Sequence, residues 1–251
     1  MLLAIDVGNT NTVLGLFDGV DLLRSYRIKT DPRSTADEYR LTFRGLLRDD
    51  PDITGVALCS TVPAVLREMR TMLERYYAHV PHVIVEPGAR TGVPVLMDNP
   101  KEVGADRIAN TLAAHTLYGG PCIVVDFGTS TNFDVVSAKG EFLGGELAPG
   151  VEISLDALAA RAAQLRKVEF VAPRSVIAKN TVEALQSGAL YGFAGQVDGI
   201  VTRIVAEIGD VTAVIATGGL APVVIKESST VTVHRPDLTL QGLRLVFDKN
   251  T

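Results

Sequence analysis

The stretch "LLAIDVGNTNTVLGLFDG", residues 2–19, decides how the rest of the chain is read. Its apolar runs, residues 2–5 and 13–17, predict two strands of a hairpin joined by "DVGNTNT". Asp6 closes the first run, and the connection supplies Gly8 with the amides and hydroxyls of Asn9, Thr10, Asn11 and Thr12. Glycine lets backbone approach a ligand closely, and N–H and O–H donors in a turn can hold a phosphate. A hairpin with a polar tip needs no ligand, so a single copy leaves both readings open.

The pattern returns in "CIVVDFGTSTNFDVVSAKGEFLGG", residues 122–145, with Asp126, Gly128, Thr129, Ser130 and Thr131 after an apolar run. Asp126 follows Asp6 by 120 residues (126 − 6), close to half of the 251-residue chain. That interval predicts two similar domains rather than a short-period solenoid. Two such turns suggest loops facing one another across a cleft, able to clamp a phosphate chain and its metal ion. A third motif, "VTAVIATGGLAP" at residues 211–222, places Thr217, Gly218 and Gly219 after another strand-like run. The chain has neither a G-x-x-x-x-G-K-[ST] loop nor a G-x-G-x-x-G fingerprint.

In order and spacing these motifs resemble the superfamily of sugar kinases, actin and the heat-shock chaperone ATPases. The resemblance implies an α/β fold of two duplicated actin-like, ribonuclease H-like domains with a nucleotide cleft between them. Strand-like runs alternating with longer helical stretches agree with an α/β fold. The expected domains are residues 1–117, with the first phosphate loop and a catalytic helix, and residues 118–251, with the second loop, the adenosine motif and helices for dimerisation.

Composition narrows the function. The chain is 47% hydrophobic, 21% charged and carries a net charge of -5, with no run of Lys and Arg. This argues for a folded protein and against nucleic acid or an anionic membrane as partner. No apolar stretch is long enough to span a bilayer and the N-terminus lacks a signal-peptide pattern, so a cytoplasmic location is expected. Cys59 and Cys122 lie in apolar contexts that suit buried thiols, and the four histidines form no metal-ligand cluster.

Residues 94–118, "PVLMDNPKEVGADRIANTLAAHTLY", predict a helix capped by Asn99, with Pro100 and Glu102 in its first turn and glycines beyond its end. Ile108, Leu112 and Leu117 supply a core stripe, while Asp106 and Asn110 share another face beside the small residues Gly104 and Ala105. An acid near a helix start is also favoured by the dipole alone. Together with both phosphate motifs, however, the "DNP-x-x-VGADR" pattern closely resembles type III pantothenate kinase across nearly the whole chain.

That resemblance implies ATP-dependent phosphorylation of pantothenate to 4'-phosphopantothenate, the first step of coenzyme A synthesis. Asp106 would be the general base, and Gly104 and Arg107 would bind substrate, Arg107 by pairing with its carboxylate. Asp6 would orient magnesium, through water, and Asp126 would bind a monovalent cation, potassium or ammonium. Gly8, Asn9, Thr10, Asn11, Thr12, Gly128, Thr129, Gly218 and Gly219 would serve the nucleotide. Thr181 would reach pantothenate in the neighbouring subunit of a homodimer whose substrate pocket lies at the interface.

In "FLGGELAPGVEIS", Gly144, Gly145, Pro149 and Gly150 match the family's glycine-proline loop; in residues 179–204, Gly188, Gly192 and Gly195 suit close helix packing. The segment at residues 29–47 reads as a loop and an amphipathic helix without assigned chemistry. The chain departs from the family pattern at Ala178, before "KNT", and at Leu165-Arg166. Alternatives are a kinase or phosphatase of the superfamily acting on another substrate, and a ligand-binding regulator of the same fold.

Overall fold

A computed structural model describes residues 1–47, 52–162, 165 and 167–251. Arg166, one of the departures noted above, lies outside the described residues. The chain forms two compact units: residues 1–93, 98–113 and 238–251 in one, and residues 94–97 and 114–237 in the other.

The first unit starts with β1 (Leu2–Val7), β2 (Asn11–Asp18) and β3 (Asp21–Lys29), followed by α1 (Ala36–Leu46), β4 (Gly55–Ser60), α2 (Pro63–Tyr76), β5 (His82–Ile84) and α3 (Ala105–Tyr118). Its sheet runs in the order β3-β2-β1-β4-β5, with β1 antiparallel to β2 and parallel to β4. A central strand loses water from both faces, which is why β1 is almost continuously apolar. On one face, Leu3, Ile5, Leu14 and Leu16 share a core with Tyr39 and Phe43 of α1 and Met69 and Met72 of α2. Helix α1 starts at a reciprocal capping box between Thr35 and Glu38.

The second unit contains β6 (Cys122–Phe127), β7 (Ser130–Val136), β8 (Phe142–Pro149), α4 (Val151–Arg161), α5 (Thr181–Ile208), β9 (Ala213–Thr217), α6 (Ala221–Val224) and β10 (Val233–His234). Its order, β10-β9-β6-β7-β8, repeats the first sheet element for element: β6 is antiparallel to β7 and parallel to β9. Ile123, Val125, Phe133 and Val214 pack with Ala194, Val197 and Val201 of α5. The duplication inferred from two turns thus extends to the complete sheet topology.

The last helix, α7 (Leu238–Asn250), groups with the first unit, and the division between units falls inside α3. A single boundary near residue 117 misses this return of the chain. Its physical cause is burial: Leu240, Leu243 and Val246 are buried, and Leu240 reaches the position where Gly15 of β2 has no side chain. A Cβ at Gly242 would stand 2.1 Å from the Ala109 carbonyl, so α7 approaches α3 as only glycine allows.

Three local expectations are corrected. The predicted helix across residues 99–118 is split: Asn99 caps a 3-10 turn at Pro100–Glu102, Val103 is extended, and α3 starts at Ala105. Within α3, Leu112 is buried, Ile108 is half-buried and Leu117 is exposed, so Leu117 leaves the expected stripe. The "FLGGELAP" segment, read as a loop, is strand β8, whose Gly144 and Gly145 adopt positive φ beside a register shift in β7. Glycine tolerates that backbone, and its edge position needs little apolar sequence.

Candidate active site

Each Asp-x-Gly turn is shorter than the sequence suggests, because the strands continue into it. Asp6 pairs with Val13 and Val7 with Thr12, and the Gly8 N–H closes the turn by donating to the Asn11 carbonyl at 3.0 Å. Asn9, Thr10 and Asn11 are exposed at its tip, whereas Thr12 is fully buried. Thr12 therefore sits beneath the turn, apart from the exposed residues expected around a phosphate.

Asp6 is half-buried where β1 ends, and the adjacent residue on the parallel strand β4 is Cys59. The Cys59 thiol donates to Asp6 Oδ1 at 3.3 Å. Burial pushes the Asp6 carboxyl up to about 7 and the charge of Asp106 adds to the rise, while the thiol hydrogen bond acts in the opposite direction. Burial likewise drives the Cys59 thiol well above its ordinary range, with Asp6 and Asp106 opposing its ionisation further. Cys59 is accordingly a neutral donor to Asp6. Cys122 stands buried in the other unit, its thiol pushed up to about 12 by burial.

Asp106 owes its place to the break at Val103. Because α3 starts at Ala105, Asp106 falls in its first turn, where Oδ1 accepts the Arg107 N–H at 2.9 Å. A Cβ on Gly104 would lie 2.4 Å from that same Oδ1, so the carboxylate occupies space that glycine leaves open. Burial raises the Asp106 carboxyl, and the Arg107 N–H and guanidinium pull it back. Thr111 donates to the Arg107 carbonyl at 2.8 Å, tightening the same turn. Gly104, Asp106 and Arg107 are thus contiguous, and the first turn with Asp6 is near enough to feel the Asp106 charge.

In the second unit, Asp126 is the penultimate residue of β6 and pairs with Asn132, and the Gly128 N–H donates to the Ser130 carbonyl at 3.0 Å. Gly128 and Thr129 are exposed at the tip. Gly150 supports the turn from behind, its N–H donating to the Thr129 carbonyl at 3.1 Å. Thr217 is the neighbour of Asp126 on parallel strand β9, and Gly218 follows with φ 91. A Cβ there would stand 2.6 Å from both Asp126 Oδ1 and the Phe127 carbonyl. A carboxylate, a backbone carbonyl and a glycine therefore meet at one point, with Gly219 exposed beside it.

Thr181 belongs to the second unit but to another element, the exposed first residue of α5. Its position is fixed by Asn180, which accepts the Glu183 N–H at 2.9 Å, while Arg174 also holds Glu183. Among the described residues no group of three or more His, Cys, Asp or Glu could hold a metal ion by itself. Sequence reading misses Cys59 as a partner of Asp6. The available signal is positional: Cys59 is the penultimate residue of β4 and Thr217 the last of β9, each beside the repeated aspartate.

With this geometry in place, comparison with known proteins is direct. Residues 2–203 match the family model described as type III pantothenate kinase. The type III pantothenate kinase of Salinispora arenicola is 70% identical over 251 residues, covering 100% of both chains, and that of Frankia alni is 70% identical over 250 residues with the same coverage. Among solved structures, the ROK hexokinase of Thermus thermophilus has a TM-score of 0.53 at 16% identity, covering 98% of this chain and 97% of its own. The ROK family glucokinase of Streptomyces griseus, in complex with glucose and AMPPNP, has a TM-score of 0.53 at 11% identity, covering 99% and 98%. These two distant structures share the fold alone, a two-domain α/β kinase fold. The family model and the full-length relatives establish that the chain belongs to the type III pantothenate kinase family.

Proposed function

We propose that the chain transfers the γ-phosphoryl group of ATP to the primary hydroxyl of pantothenate, giving 4'-phosphopantothenate, with Asp106 as general base. The observation that carries this reading is the half-buried Asp106 carboxylate at the start of α3, raised by burial and next to both Asp6 and Arg107. A base works best when its pKa lies nearer the working pH than a solvated carboxylate's does. Arg107 offers a planar fork for the substrate carboxylate, which would aim the hydroxyl at Asp106. Phosphoryl transfer then requires in-line placement and charge neutralisation more than covalent chemistry from the protein.

In this reading the first turn, through Gly8, Asn9, Thr10 and Asn11, and the second, through Gly128 and Thr129, donate to the nucleotide phosphates. Gly218 and Gly219 leave room for the nucleotide beside the second turn. A buried carboxylate that a second carboxylate raises further suits a divalent cation, so Asp6 would hold magnesium through water. The oxygens of Asp126 and Phe127 around side-chain-free Gly218 suit potassium or ammonium. When bound, these cations neutralise the phosphate charge.

The homodimer belongs to the same proposal, with Thr181 contributed to the partner's pantothenate pocket. It is supported by the open side of α5: a Cβ at Gly188, Gly192 or Gly195 would meet nothing within 4 Å. Exposed Leu147, Ile153, Leu158 and Val182 lie on β8, α4 and α5 of the same unit. A cytoplasmic location accords with the absence, among the described residues, of a helix long and apolar enough to cross a membrane.

The test is Asp106→Asn beside the parent chain, with magnesium and potassium present. The variant should lose about two to four orders of magnitude in turnover while binding ATP and pantothenate nearly as before. Undiminished turnover would remove Asp106 from the role of base.

A further inference from the structure

Thr30 follows β3 in a segment to which sequence reading assigns no chemistry, yet it is only 4% exposed. Its hydroxyl donates to the Gly8 carbonyl at 2.8 Å, and its Oγ1 lies 2.9 Å from the Oγ1 of Thr12. Its backbone N–H donates to the Thr10 carbonyl at 3.0 Å. A hydroxyl has one proton to give. Since Thr30 gives its proton to Gly8, Thr12 must be the donor between the two threonines. The direction of the relay is therefore fixed: Thr12 hydroxyl to Thr30 hydroxyl to Gly8 carbonyl.

The relay has a consequence for the tip of the turn. The only cis peptide among the described residues is Gly120–Pro121, so the Gly8–Asn9 peptide is trans. In a trans peptide the C=O and the following N–H point in opposite directions. Holding the Gly8 carbonyl inward on Thr30 turns the Asn9 N–H outward, at a residue that is exposed. Thr12, buried and therefore removed from the tip, completes the brace from below.

We infer that Thr30 is a positioning residue for phosphate binding, acting with Thr12 to hold the Gly8–Asn9 peptide so that its N–H faces the ligand. This rests on reading the first turn as a phosphate loop. It adds a polar brace, contributed by the β3–α1 segment, that aligns the donor before ligand arrives and so reduces the ordering cost of binding.

The experiment measures kcat, KM for ATP, KM for pantothenate and the thermal midpoint in the parent, Thr30→Val, Thr30→Ser, Thr12→Val and Asn9→Pro. Thr30→Val should raise KM for ATP about tenfold, the effect of losing one buried hydrogen bond, with KM for pantothenate within about twofold. Thr30→Ser should return KM for ATP to within about twofold of the parent, and Thr12→Val should raise it about threefold. An unchanged KM for ATP in Thr30→Val, or an equal rise for both substrates, overturns the inference. If Thr30→Val does not fold, an unchanged KM for ATP in Thr12→Val overturns it instead. Asn9→Pro removes the aimed N–H itself. If that variant keeps the parent's ATP affinity, the phosphate-loop reading fails; if it loses affinity while Thr30→Val does not, the relay alone fails.

Discussion

Asp6 and Asp126 occupy equivalent places in two sheets of equivalent strand order, each at the end of the central strand and each ahead of a glycine turn. What stands beside them differs. Asp6 has a thiol at its side and is raised to about 7, by burial first and by the charge of Asp106 second. Asp126 has Thr217 on the neighbouring strand and the left-handed Gly218 against its carboxylate. The duplicated frame supplies both with a turn, and in the proposed reading the neighbours divide the work: proton and metal chemistry at the first, space and oxygen ligands at the second. The contrast in surroundings is what the structure itself provides: one repeated motif in two different environments.

The largest expected effect separates the halves by substrate. Arg107→Gln should lower kcat/KM for pantothenate on the order of a hundredfold, through loss of a charge-assisted fork, with ATP binding unchanged. Steady-state kinetics with each substrate varied in turn checks this; a comparable loss of ATP affinity would erase the division.

Glycine replacements probe the same contrast at the turns. Gly218→Ala places a Cβ 2.6 Å from two oxygens at a φ unsuited to side chains, whereas Gly8→Ala meets only the Asn11 carbonyl at 3.2 Å. Gly218→Ala should cost on the order of 2 kcal/mol and weaken ATP binding, and Gly8→Ala should cost less. Thermal melts of both variants, with and without ATP, rank them.

A third prediction concerns what anchors the second unit. Asp198 on α5 accepts the Ser228 hydroxyl at 2.6 Å, the Ser229 N–H at 2.9 Å and the Thr230 hydroxyl at 2.8 Å. Burial opposes its ionisation, but the Ser228 hydroxyl, the Ser229 N–H and hydroxyl, and the Thr230 hydroxyl outweigh it and hold the carboxyl well below the usual range. Depressed in the folded state, Asp198 contributes stability above its unfolded pKa of about 3.9, and that contribution fades as pH falls. Asp198→Asn should cost about 1 kcal/mol at pH 7 and less at pH 3, read from urea melts at both values. A cost independent of pH would place the effect in packing instead of charge.

The smallest effect sharpens the strand-neighbour comparison. Cys59→Ser retains a donor to Asp6 and should change turnover by less than about threefold, whereas Cys59→Ala should lower the thermal midpoint by roughly 2–4 °C.

Central strands and their turns were legible in the sequence because β1 and β6 are apolar on both faces and end abruptly in Asp, x and Gly. Edge strands were not: β3 alternates charged and apolar residues, and β8 carries two glycines, so neither announces burial. Helix α7 joins the first unit through Gly15 and Gly242, contacts between residues far apart in the chain that no local pattern encodes. The break at Val103 was hidden by a capping signal that operates on the 3-10 turn instead of the helix. Asp106 and Arg107 were marked as candidates by their motif. Cys59 and Thr30 were not, because what each touches, Asp6 and the Gly8 carbonyl, depends on which strands become neighbours.

The most direct measurement is product formation by the purified chain with ATP, magnesium and pantothenate, in potassium and then in sodium. The account predicts 4'-phosphopantothenate at one equivalent per ADP formed, with faster turnover in potassium. ADP released without phosphorylated pantothenate, or no turnover by a folded chain that binds ATP in either salt, would contradict it.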